Sequence, residues 1–149
     1  MLRPEHDAKR LGRMKNTIKT LNKRASQILA DLIEKCESGE GYAKIDNGGK
    51  GIMAAVIERV GVSDKGAFYS VAHYYTQNGD AMRDPEMIFL AMGNSLFAPT
   101  YYLQDNLGIE ENSLFRDETG KWKIRAAIQH AHARFANIWM KNIKDQQRL

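Results

Sequence analysis

Apolar positions in the first third of the chain recur with a helical period. Met14, Ile18, Leu21, Ala25, Ile28 and Leu32 follow one another at steps of three and four, which predicts one buried stripe along a long amphipathic helix. Leu29 and Ile33 widen the stripe, Lys9, Arg13, Lys19 and Lys23 fall opposite it, and Gly39 and Gly41 end it. From Tyr42 the period becomes two. Tyr42–Asp46 reads as a short strand, with Gly48-Gly49-Lys50-Gly51 as a turn. Ile52–Val60 and Ala67–Tyr75 read as a hairpin. Thr76–Pro85, with Asn78-Gly79 and Asp84-Pro85, reads as a connecting loop. Glu86–Met92 and Leu96–Gln104 follow as strands, Pro99 placing the second at an edge or a bulge. Leu114–Arg116 and Lys121–Ile124 make a last hairpin. A closing helix runs from about Ala126 to Gln146, with Ile128, Ala131, Phe135, Ile138, Trp139 and Ile143 as its apolar stripe.

The expected architecture is α+β: an antiparallel sheet of about four to six strands with long N- and C-terminal amphipathic helices packed on it. A length of 149 residues suits one domain, residues 1–149, with residues 1–8 as a disordered lead. No apolar run reaches the length of a bilayer span, and no secretory leader pattern opens the chain. Cys36 is the one cysteine, which fits a reducing, cytoplasmic setting; its neighbours Glu34 and Glu37 favour a raised thiol pKa.

Charge is sorted along this frame. Residues 1–24 carry eight Lys/Arg against Glu5 and Asp7, and residues 121–149 carry seven against Asp145 alone. Residues 25–120 hold seven basic and fifteen acidic side chains. The net +4 therefore conceals two basic ends around an acidic middle. Lys9, Arg13, Lys19, Lys23, Arg134, Lys141 and Lys144 are the candidate phosphate contacts, provided that the two helices share one side of the sheet. The competing expectation is self-neutralisation, the basic ends pairing with the acidic middle.

A second candidate is the polar stretch from His73 to Glu86. Gln77, Asn78, Asp80, Arg83 and Glu86 would form a partner-binding loop. His73, Asp80, Asp84 and Glu86 could alternatively gather for metal-dependent phosphodiester hydrolysis. Plain turn chemistry accounts for the same residues. His130 and His132 are two apart on a helix and cannot share a metal, so no metal or cofactor is expected. Tyr69, His73 and Tyr75 alternate onto one strand face, either as a base-stacking surface or as an ordinary outer face.

Tyr42-Ala-Lys-Ile-Asp-Asn, the run from Ser70 to Asp80, Met82-Arg-Asp-Pro-Glu-Met and the run from Phe135 to Lys144 resemble an uncharacterised family of small bacterial proteins encoded on plasmids, integrative elements and phages. The resemblance spans roughly residues 42–146 and implies no activity or catalytic residue. It implies a cytoplasmic accessory protein of a mobile element, monomer or homodimer. The partner would be nucleic acid or a host nuclease or defence protein, and an anti-defence inhibitor is the alternative role.

Overall fold

A computed structural model describes residues 17–149. Helix α1 (Lys23–Ser38) leads into six strands, β1 (Tyr42–Ile45), β2 (Ala55–Ser63), β3 (Gly66–Gln77), β4 (Asp80–Ala91), β5 (Phe97–Gln104) and β6 (Ile109–Asn112). A small hairpin of β7 (Leu114–Arg116) and β8 (Trp122–Ile124) precedes helix α2 (Ala126–Gln146). β1 to β6 form one antiparallel sheet in sequence order, so the fold is α+β as expected.

Both helices cover one face of the sheet. Ile28, Leu29 and Leu32 of α1 and Ala136, Trp139, Met140 and Ile143 of α2 share a cluster with Ile57, Val71, Met87 and Phe89. The register makes this possible, because Ile57 faces Val71 and Val71 faces Met87 across the strands. Phe89 is fully buried, and truncation of such a side chain costs about 3–5 kcal/mol. The opposite face is covered in part by the β7–β8 hairpin, where Leu114, Trp122 and Ile124 pack with Phe68, Leu90 and Ala98.

Two buried amides latch the ends of α2. Gln129 accepts from the Lys19 backbone N–H (2.8 Å) and donates to the carbonyls of Lys19 (2.7 Å) and Pro99 (3.2 Å). Gln147 accepts from the Asn47 N–H (2.7 Å) and donates to the Met53 carbonyl (2.9 Å). Both side chains are fully buried, so the amides themselves need these partners away from water.

The first helix is shorter than its periodicity predicts. Met14 lies outside the described residues, and Ile18 and Leu21 are buried on non-helical chain. The Leu21 N–H donates to the Phe97 carbonyl (2.9 Å), and Gln129 takes both backbone groups of Lys19, so these residues have no intrahelical bonds to make. Asn22 then caps α1, its side chain accepting from the Ala25 N–H (2.8 Å).

The expected Thr76–Pro85 loop is instead strand. Asn78 and Gly79 both have positive φ, +53° and +86°, and turn β3 directly into β4. The apolar stripe of α2 is also rotated from the predicted one. Gln129, His132, Ala133, Ala136, Trp139, Met140 and Ile143 face inward, while Ile138 is 64% exposed and Phe135 37%. Pro99 does sit beside a bulge, Ile88 facing Tyr101 and Phe89 facing Pro99.

Candidate functional site

The two basic segments meet. The Asn22 N–H at the start of α1 donates to the Asn137 side chain of α2 (2.9 Å), which sets the helices side by side. Further along, Arg24, Gln27, Ile28 and Asp31 line a cleft of about 370 Å³ together with Lys144. Lys141 lies three residues before Lys144, and Arg134 seven before Lys141, so the α2 cations form one exposed ridge beside that cleft. Lys23 and Arg24 stand at the first turn of α1, which carries no acidic residue. Lys19 is exposed on the segment leading into it. Lys9 and Arg13 lie outside the described residues.

None of Lys19, Lys23, Arg24, Arg134, Lys141 and Lys144 forms an ion pair among the described residues. The arginines of the strands, and Lys123 of the β7–β8 hairpin, behave differently. Arg59 pairs with Glu37, Arg116 with Asp64, and Lys123 approaches Asp117 (3.9 Å). Lys65 and Arg116 flank the Trp122 ring at 5.6 and 5.0 Å.

Arg83 is the most engaged of all. Its Nε and Nη2 donate to the two Asp105 carboxylate oxygens (3.0 and 3.2 Å), its backbone N–H donates to Oδ2 (2.8 Å), and Nη1 reaches Glu86 (3.3 Å). Ser70 Oγ donates to the other Glu86 oxygen (2.6 Å). The guanidinium holds the Asp105 carboxyl below its usual range, and Asp105 in turn raises the Arg83 pKa. Arg83 and Glu86 are therefore parts of a strand-to-strand network rather than of a loop. Gln77, Asn78 and Asp80 are exposed at and beside the tight turn.

The proposed metal group does not converge. His73 is buried against Trp139, ring centroids 5.4 Å apart and edge to face, on the helix-covered side. Its Nε2 and the Trp139 Nε1 have no hydrogen-bond partner. Burial pushes the His73 pKa down, opposed by the charge of Asp84. Asp84 accepts from Gln104 (3.0 Å), Glu86 faces the other side of the sheet, and Asp80 is exposed. Among the described residues no group of three or more His, Cys, Asp or Glu is placed to hold a metal ion.

The Tyr69–His73 face is not a stacking surface either. Tyr69 and His73 are buried beneath the helices, with the Tyr69 hydroxyl donating to Glu37 (2.9 Å). His132 is buried between Ser113 (3.0 Å) and Glu111 (3.1 Å), while the His130 ring meets the Thr17 carbonyl (2.6 Å). Cys36 is fully buried, and its thiol pKa is raised by burial first and by Glu37 second.

Arg24 is the site residue that sequence reasoning missed. The signal was present: Lys23-Arg24 follows the capping Asn22 directly, where the positive end of a helix disfavours cations unless an anion joins them.

The model of a family described as a domain of unknown function, DUF6908, matches residues 16–149, and the chain belongs to that family. No curated protein and no solved structure matches it. No helix of the described residues is long and apolar enough to cross a membrane.

Proposed function

We propose that this member of a family without an assigned activity is a non-enzymatic protein that binds nucleic acid through its helix layer. Lys19, Lys23, Arg24, Arg134, Lys141 and Lys144 make the phosphate contacts, with Lys9 and Arg13 adding to them from outside the described residues. The observation that supports this reading is the unequal pairing of cations. Had the basic ends served to neutralise the acidic middle, they would carry ion pairs like those of Arg59, Arg83 and Arg116. Lys123 does approach Asp117 (3.9 Å), but Lys19, Lys23, Arg24, Arg134, Lys141 and Lys144 carry no ion pair among the described residues, and two adjoining helices present them together. Mobile, unpaired Lys and Arg side chains hold counterions that a polyphosphate releases on binding, which is the main source of such affinity. The mobile-element setting belongs to the same reading and rests on the sequence resemblance alone. Nothing in the placement of His73, Asp80, Asp84 and Glu86 favours hydrolysis.

The test is a salt titration of binding to labelled DNA and RNA. The six described phosphate contacts predict a log–log slope of about −5 on duplex, or about −4 on a single strand. A flat salt response, or no binding at low salt, would overturn the reading.

A further inference from the structure

The outward face of α2 mixes its cations with apolar side chains that the fold leaves in water. Ile138 is 64% exposed, and it stands one helical turn from both Arg134 and Lys141. Phe135, three residues before Ile138, is 37% exposed, and its ring is held from beneath by Tyr102, edge-on at 5.5 Å, and Trp139 at 6.0 Å. A ring pinned on one side and open on the other is a preformed stacking platform. From this placement we infer that the nucleic acid bound here is single-stranded, with phosphates on Arg134 and Lys141 and unstacked bases over Phe135 and Ile138.

The inference rests on the phosphate contacts proposed above and specifies their substrate. A duplex turns its phosphates outward and keeps its bases stacked and paired, so it offers the Phe135 ring no open base face and Ile138 little beyond thymine methyl groups deep in the major groove. A single strand offers the π-face of each base, and base–aromatic stacking is sequence-tolerant. An anionic membrane would also take cations beside apolar groups. Its affinity scales with the apolar area inserted, and two side chains, one of them partly covered by its neighbours, supply little.

The experiment compares anisotropy titrations of a fluorescein-labelled oligothymidylate of about 20 nucleotides with a duplex of equal length, and adds phosphatidylserine vesicles as a third probe. The single strand is expected to bind about ten-fold tighter or more, with no vesicle binding. Phe135→Leu keeps the bulk but removes the ring, and should lower single-strand affinity about five-fold while leaving duplex affinity and the salt slope unchanged. Ile138→Ser shifts single-strand affinity the same way from a position too exposed to affect folding; Lys141→Ala weakens both nucleic acids. Salt-dependent duplex binding at equal or greater affinity, or silence of both Phe135→Leu and Ile138→Ser, overturns this inference and leaves phosphate binding standing. Absence of salt-dependent binding to either nucleic acid, with or without vesicle binding, overturns both readings.

Discussion

The arginines of the strands and the cations of the helix layer are partnered in opposite ways. On the sheet, Arg83 spends its guanidinium on Asp105 and Glu86, Arg59 on Glu37 and Arg116 on Asp64. On the helices, Arg24, Arg134, Lys141 and Lys144 are exposed and form no ion pair among the described residues, although Asp31 shares the cleft of Arg24 and Lys144. A cation that is paired across strands fixes the position of its neighbours; an unpaired one raises local potential and is available to a second molecule. Charge counted along the chain cannot make this distinction, because it depends on which acids the topology brings within reach. β4 and the turn after β5 bring Asp105 to Arg83, whereas among the described residues no acid lies within ion-pairing distance of the α2 ridge.

The largest expected effect comes from reversing the helix-layer charge. Arg24→Glu, Lys141→Glu and Lys144→Glu combined should abolish measurable nucleic-acid binding at moderate salt while the melting temperature stays within a few degrees of the parent. Retained binding would dissolve the contrast, and a collapse in melting temperature would show these side chains to be structural after all. A smaller and sharper contrast comes from single removals. Arg83→Ala should cost about 1 kcal/mol of unfolding free energy, a figure already reduced for the partial exposure of the pair, and leave binding unchanged. Lys141→Ala should change stability by less than about 0.5 kcal/mol and lower the salt slope by about one. Chemical denaturation read beside anisotropy checks both.

The smallest effect is one of pH. Burial holds His73 below its ordinary pKa, so the unfolded chain binds a proton that the folded chain resists. Stability from this residue is complete above the unfolded pKa of about 6.5 and declines as pH falls toward the folded value. The melting temperature of the parent should therefore drop between about pH 7 and pH 5, and that of His73→Phe should drop less. Binding through Lys and Arg should hardly move over the same range, since both stay charged. A binding midpoint that follows the His73 window would merge the two regions that the charges separate.

Much of the fold was legible in the order of residues. Periodicity revealed the existence of β1 to β5, the Leu114–Ile124 hairpin and the span of α2. The first half of β4 reads as loop instead, because Asn78-Gly79 and Asp84-Pro85 both carry turn chemistry and only the first of them turns the chain. β6 was not legible, because Ile-Glu-Glu-Asn lacks both alternation and β-branched content beyond Ile109, and only the partner strand β5 makes it a strand. The buried side of α2 was misjudged because two of its inward positions, Gln129 and His132, are polar, and what reconciles them with burial is backbone and side-chain partners far away in sequence. The beginning of α1 failed for the mirror-image reason. Ile18 and Leu21 are apolar and buried, yet their spacing says nothing of where Asn22 restarts the backbone. The candidate cationic site was half legible: all its described residues but Arg24 were named from the sequence, but their lack of ion-pair partners among the described residues could not be read there.

The amides at the two ends of α2 tie the fold to the order in which the chain is synthesised. Gln129 reaches back 110 residues to Lys19, and Gln147 reaches back 100 to Asn47. The strands from β2 to β5 pair with neighbours made just before them, so a growing chain can assemble the middle of the sheet early. Its two latches close only after α2 exists, and until then the cluster around Val71, Met87 and Phe89 has only α1 to cover it. The cationic ridge is built from that same late helix. The basic start of the chain, made first, thereby meets the basic α2 only when the core is finished.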